Sequence, residues 1–528
     1  MRLPSRSAEA SGVRVVRNTA FTAGGRGINI ALAVLLTPFL LHRLGPEQYG
    51  VWVLATTLTL TAGYLSLADL GLRQAAVRQV ADARSRGDRR AVAETVATTT
   101  WFYLGLGLVL ALVLALAARP LAELFGVTAD LQDAAALAFL LVGVQIAVDL
   151  PAAGATALIE GVQRHGVFRA VDVVARLAWG AGTVLVVAAG HGIVAIAAVS
   201  LGVAVVRAVA AFWIAERLES GRLFRPSAVR RSRLRVVLGD GKKMFALRIL
   251  DVAYSQMDRL VIGIALGTAA VAFYDVAFKI HVTAAAVLGV VPSAVMPAAA
   301  YLAAAGDRER LRELFLRGTR YAVALGVPLS VAAILYARPL LSTWVGAEYE
   351  SLTGATRLFL VYPAIAVTVV VGQAMLTGLS RMREMLRLQV GALAVNLAVS
   401  VLLVSRVGII GVIWGTLAGA AVLWGPMTAL FLREFGVGAL EWARRVLLPV
   451  VPAVAVQLAF GWLTVGFAAR LDQLWAVIAL VATSYALAGL TFVVVSLSPA
   501  ERDHLRRSLL RWRSAETATA ARVAMDQG

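Results

Sequence analysis

The cations of this chain are segregated. Lys and Arg gather in short clusters between uncharged runs of membrane-spanning length, and the heavy clusters fall in every second gap. The chain is 60% hydrophobic and only 15% charged over 528 residues, where a soluble domain is nearer a quarter charged. Repeated apolar runs of about 18 residues or more read as transmembrane helices. Stretches such as Leu104 to Ala118 and Val446 to Ala468 are uncharged and lack the period-two alternation of barrel strands. The expected fold is therefore all-α, a polytopic membrane protein.

The formal charge of +19 does not point to nucleic acid. The excess sits in short loops, where the positive-inside rule places it on the cytoplasmic side and where it meets anionic membrane lipids. There is no Cys, which excludes disulfides and thiolate metal sites, and the five His are far apart. No metal or cofactor is expected, and no Gly-rich nucleotide loop is found. The basic segment Met1 to Arg17 runs into an apolar stretch without a cleavage pattern, so it reads as a cytoplasmic tail before a retained helix.

About fourteen spans fit the pattern, each long enough for about 30 Å of hydrocarbon. Arg73, Arg78, Arg84, Arg86, Arg89 and Arg90 follow the second span, and Arg217 to Lys243 hold the cluster after the sixth. The odd gaps hold at most one cation each: Arg43, Arg119, Arg338, Arg406 and Arg470. Both termini are then cytoplasmic, in an inner membrane. The chain also repeats. Leu44-Gly45 with Gly50-Val51-Trp52 matches Leu266-Gly267 with Ala272-Phe273-Tyr274 at an offset of 222. Gly161-Val162-Gln163-Arg164 matches Gly378-Leu379-Ser380-Arg381 at 217, and Gly192-Ile193 matches Gly408-Ile409 at 216. These give two parallel six-helix lobes, residues 1–215 and 216–433, then two helices in 434–498 and a cytoplasmic tail, 499–528. Parallel repeats around a central site are a transporter architecture.

Charge inside a span costs about 2.5–3.5 kcal/mol per residue on the insertion scale. The seventh span carries Arg248, Asp251, Asp258 and Arg259, and the eighth carries Asp275 and Lys279 on one face. The 222 offset maps Arg248 onto Arg26. Two guanidiniums at one depth suit a pyrophosphate or another polyanion; the alternative is that both snorkel to the headgroups. Asp258 and Arg259 could equally pair with each other. Asp149, two residues before Pro151, is a lone carboxylate and a proton or cation-coupling candidate, as are Asp251, Asp258 and Asp275. Asp69 and Arg73 read as a helix cap, Asp172 and Arg176 as a structural pair, and Arg207 as a snorkelling cation.

Four stretches carry a family resemblance: HRLGPEQYGVW, LADLGLRQAAVRQVA, IEGVQRHGVFRAVDVVARL and QMDRLVIGIALGTAAVAFYDVAFKI. They resemble the Wzx-type lipid-linked oligosaccharide flippases of the multidrug/oligosaccharidyl-lipid/polysaccharide exporter superfamily. The resemblance implies two six-helix lobes plus two further helices. It implies alternating-access transport of undecaprenyl-pyrophosphate-linked oligosaccharide to the outer leaflet, for surface polysaccharide such as O-antigen. It also implies that cationic cavity residues meet the pyrophosphate, which carries onto Arg26, Arg248, Arg259 and Lys279. Polysaccharide polymerase and glycosyltransferases are the implied partners. A multidrug cation antiporter and a lipid II flippase are the neighbouring alternatives. An enzyme is not expected, since the external gaps are too short for a catalytic loop.

Overall fold

The computed structural model describes residues 6–59, 63–219, 223–503 and 506–507; side chains of 6–30, 165, 167, 240–244, 246–247, 287–288, 290 and 293 are outside that description. The described residues are almost entirely helical and contain no strand. In chain order the helices are α1 (Arg6–Thr57), α2 (Leu72–Ser85), α3 (Arg89–Leu124), α4 (Gln132–Gly161), α5 (His165–Ala188), α6 (Ile193–Leu218), α7 (Arg231–Leu266), α8 (Thr268–Ala285) and α9 (Val290–Ala304). There follow α10 (Arg308–Leu335), α11 (Ala337–Trp344), α12 (Thr353–Ala366), α13 (Val370–Gly378), α14 (Arg383–Val407), α15 (Ile409–Glu434), α16 (Ala439–Trp442), α17 (Val451–Ala468) and α18 (Leu474–Thr491).

Long helices wear their apolar side chains outward. Leu116 is 73% exposed, Trp462 79% and Trp475 69%. A water-facing surface does not carry such residues along helix after helix; a bilayer does. Among the described residues nine helices are long and apolar enough to cross a membrane, or ten if the bent pair α12–α13 is one span. The protein is a multi-pass, all-helical membrane protein. α7 is as long as a span but carries Arg248, Asp251, Asp258 and Arg259 within it, and α9 has only 15 residues.

The first two expected spans are one continuous element, α1, broken at Gly45 (φ 77, ψ 166). This backbone region is essentially open to glycine alone, and Pro46 then starts the second segment with a preset φ. Gly267, 222 positions on, has nearly the same conformation (φ 83, ψ 179) between α7 and α8. Gln163 (φ 60) and Ser380 (φ 58), matched in sequence, are both left-handed although neither is glycine. A further match was not read from the sequence. Asp88 caps α3 by accepting from the Ala91 N–H at 2.9 Å, and Asp307 caps α10 by accepting from the Arg310 N–H at 3.0 Å. The third sequence match does not extend to backbone conformation, because Gly192 is extended (φ −88) whereas Gly408 has φ 65.

The chain forms two compact units. Unit 1 holds residues 1–279 and 389–419, and unit 2 holds 280–388 and 420–528. In unit 1, α3 runs along α4, α4 packs on α6, and α6 on α5, with α2 lying across α3 and α4. Its inner layer is built from small side chains and Thr95, Thr98 and Thr99, which are buried. Such residues let helix backbones approach closely where no hydrophobic force drives association. Unit 2 is organised around α10, which packs against α9, α12, α13, α17 and α18. Phe315 of α10 stacks on Phe435 with centroids 4.9 Å apart, and buried Gln457 of α17 donates to the Pro328 carbonyl at 2.9 Å.

Candidate functional site

Unit 1 contains a cavity of about 750 Å³. One wall comes from an unusual turn. A 3₁₀ segment, Tyr64–Asp69, ends in two successive left-handed residues, Leu70 (φ 50) and Gly71 (φ 70), which redirect the chain into α2. The turn presents Ser66, Asp69 and Arg73 to the cavity. Helices α4, α5, α6 and α7 add Asp149, Glu160, Asp172, Arg207, Arg248 and Asp251.

Every guanidinium on this wall is held by a carboxylate. Arg73 bridges to Glu160 at 2.7 Å, and Arg248 to Asp251 at 2.8 Å. Arg207 lies between Asp149, with which it is bonded, and Asp172 at 3.6 Å. Asp69 accepts the Arg73 backbone N–H at 3.1 Å, in the first turn of α2, and the Tyr103 hydroxyl; the N-cap residue of α2 is Gly71. Five carboxylates therefore face three guanidiniums: Asp69, Asp149, Glu160, Asp172 and Asp251 against Arg73, Arg207 and Arg248. The cavity is a set of closed ion pairs, not a bare cationic surface.

Sequence candidates divide between two places. Asp149, Arg248 and Asp251 line the cavity. Arg259, Lys279, Asp258 and Asp275 instead meet in a buried cluster. Asp275, 2% exposed, accepts from Arg259 at 2.9 Å, from Lys279 at 2.8 Å and from the Tyr49 hydroxyl at 2.7 Å. Lys279 also donates to the Tyr49 oxygen. The Arg259 guanidinium lies 4.2 Å over the Phe278 ring and donates to Gln256 at 3.0 Å. Asp258 does not pair with Arg259; it accepts from Tyr274 at 2.7 Å and from Thr416 at 3.1 Å. This cluster ties α1, α7, α8 and α15 together. The same junction brings α1 against the start of α8 so closely that a Cβ on Gly50 would lie 1.9 Å from the Thr268 carbonyl oxygen. The side chain of Arg26 falls outside the described residues.

Sequence reasoning missed Arg73, Glu160, Asp172 and Arg207 as one site. The snorkelling assignment for Arg207 is corrected: it is paired, and Asp149 is its partner rather than a lone carboxylate. The available signal was that an isolated carboxylate at 149 and an isolated guanidinium at 207 each need a partner inside a membrane. Among the described residues, no three His, Asp or Glu converge as a metal-ligand set.

Residues 40–354 match the family described as polysaccharide biosynthesis protein, more than half of the chain. The chain belongs to that family. A curated relative from Shigella flexneri, named "Putative O-antigen transporter", is 20% identical over 339 residues, 64% of this chain and 78% of the relative. Among solved structures, this family member is similar to the lipid II flippase MurJ in its inward closed conformation, with TM-score 0.65, 11% identity and 88% of this chain and 98% of that chain covered. It is also similar to a multidrug resistance MATE family transporter of the MOP superfamily in its inward-facing conformation, with TM-score 0.62, 16% identity and coverage of 78% and 94%. At these identities the likeness establishes the fold alone: the polysaccharide biosynthesis member shares the helical fold of those two transporters.

Proposed function

We propose that the protein is a flippase. It carries undecaprenyl-pyrophosphate-linked oligosaccharide from the cytoplasmic to the outer leaflet of the inner membrane, by alternating access, for surface polysaccharide synthesis. The observation that carries the reading is the row of masked arginines in the unit 1 cavity of a polysaccharide biosynthesis family member. Arg offers a planar fork that a phosphate can take bidentately. Entry of the pyrophosphate would exchange a carboxylate for a phosphate oxygen at Arg73, Arg207 and Arg248, and each displaced carboxylate would then need a proton or a cation in place of its guanidinium. Arg26 would join Arg248 by the repeat. Asp149, Asp251 and the displaced carboxylates are the groups to take up a coupling ion. The lobes are residues 1–215 and 216–433, with 434–498 added, the tail 499–528 in the cytoplasm, and a polymerase and glycosyltransferases as working partners.

One observation favours a second reading. Carboxylates outnumber guanidiniums on the cavity wall, which suits an antiporter of organic cations. The experiment is Arg248→Ala in cells that depend on the protein for surface polysaccharide. Export is lost while the membrane level of the protein is unchanged; a stable variant that exports normally removes Arg248 from the site.

A further inference from the structure

Beside the large cavity lies a second one of about 230 Å³, also within unit 1. We infer that it is a carbohydrate subsite, which takes the first pyranose ring of the substrate; this rests on the flippase reading above. Its walls combine two indoles, Trp52 and Trp179, with Thr56, Gln145, Arg176 and Ser200. A pyranose has C–H faces that pack on an aromatic ring and a rim of hydroxyls that need hydrogen-bond partners. Apolar walls carrying a few placed polar groups are the general form of a small-molecule site, and indoles supply rigid contact area with little side-chain freedom to lose.

The Trp179 ring is fixed. Its Nε1–H donates to Ser200 Oγ at 2.9 Å, and that hydroxyl donates to the Ile196 carbonyl at 2.9 Å. With its N–H engaged, the indole has its ring face left to offer. Trp52 is only 7% exposed, so its position is set by packing. Gln145 leans on Asp149 Oδ2 at 3.3 Å, which leaves its carbonyl to accept from a sugar hydroxyl.

The two cavities share a wall. Asp149, Asp172 and Arg207 line both. A sugar joined to a pyrophosphate has one connectivity: the ring is one glycosidic oxygen from the first phosphate. A phosphate at Arg207 therefore puts the attached ring beside Trp52 and Trp179. The volume agrees. About 230 Å³ is room for a ring of hexose size with its hydroxyls. The subsite reads the sugar nearest the lipid, and later sugars stay in the larger space.

The test uses the purified full-length protein in detergent. Native mass spectrometry measures binding of undecaprenyl pyrophosphate, and of the same lipid carrying one glucose, galactose or N-acetylglucosamine. At least one glycosylated lipid binds about tenfold more tightly than the bare lipid. Trp179→Leu removes that increment and leaves the affinity for bare lipid unchanged, while Trp179→Phe keeps part of it. Gln145→Leu gives the same selective loss and stands in if the tryptophan variant does not fold. If bare lipid binds but no sugar adds affinity, or if Trp179→Leu weakens both ligands equally, the subsite is overturned and the flippase reading stands. If neither lipid binds, the flippase reading fails first. Tetraphenylphosphonium binding that Trp179→Leu abolishes overturns the subsite in favour of an organic-cation site.

Discussion

Asp275→Ala is the substitution whose cost the structure fixes most firmly. The carboxylate is 2% exposed and serves Arg259 at 2.9 Å, Lys279 at 2.8 Å and the Tyr49 hydroxyl at 2.7 Å. Removing it leaves two cations without their counter-charge, and Arg259 is itself 9% exposed. Breaking a buried pair by deleting one partner costs about 3–5 kcal/mol. The two pairs share one acceptor, so their losses do not add. Tyr49→Phe deletes only a hydroxyl and costs about 1 kcal/mol. Asp275→Leu combined with Lys279→Met removes two charges together and recovers at least about 1 kcal/mol of the Asp275→Leu loss. The assay is a thermal ramp of detergent-purified protein, read by size-exclusion fluorescence. Asp275→Ala lowers the midpoint by roughly 5 °C. A variant as stable as the wild type, or a double variant no better than the single, would show that the cluster is solvated and that the ion pairs are not what joins α1, α7 and α8.

Gly50→Ala forces a methyl to within 1.9 Å of the Thr268 carbonyl and should sharply reduce the folded yield, whereas Gly105→Ala, with nothing within 4 Å, should not; equal yields refute the close approach. Arg207→Met strands the Asp149 carboxylate and should cost about 3 kcal/mol or more in a thermal unfolding series. Adding Asp149→Asn should restore part of it, and simple additivity would mean the two do not interact. Glu501 lies beyond the last span, where burial acts to raise its pKa. The Ser498 N–H and hydroxyl together with Arg320 outweigh that and hold it at about 2, from an ordinary 4.5. Its folded pKa is depressed, so its contribution is complete above about pH 4.5 and is lost as pH falls toward about 2. Hydrogen exchange around Ser498 to Asp503 should quicken over that window, and Glu501→Gln should remove the pH dependence.

The alternation of basic clusters and the uncharged runs were enough to read a multi-pass helical bundle, because a bilayer permits few other ways to satisfy the backbone. Turn glycines made the repeat legible: Gly45 and Gly267 hold one glycine-only conformation at matched positions. The pairing of buried charges was less legible. Spacing along one helix put Lys279 beside Asp275 correctly, since they sit at i,i+4. It suggested Asp172 with Arg176, while Asp172 also reaches Arg207 on α6. Arg259 found its carboxylate on α8, not in its neighbour Asp258. Partners on another helix depend on rotation and depth, which no local pattern encodes. The side pocket escaped for the same reason, because Trp52, Gln145, Trp179 and Ser200 come from four helices.

The central claim is that the arginines of the unit 1 cavity receive a lipid-linked pyrophosphate. Translocation of a fluorescent undecaprenyl-pyrophosphate-linked oligosaccharide across proteoliposomes that hold the purified protein tests it most directly. The wild type moves the lipid between leaflets, and Arg73→Ala and Arg248→Ala each slow it by at least about tenfold at equal protein content. Unchanged rates in both variants, or transport of an organic cation with none of the lipid, would contradict the account.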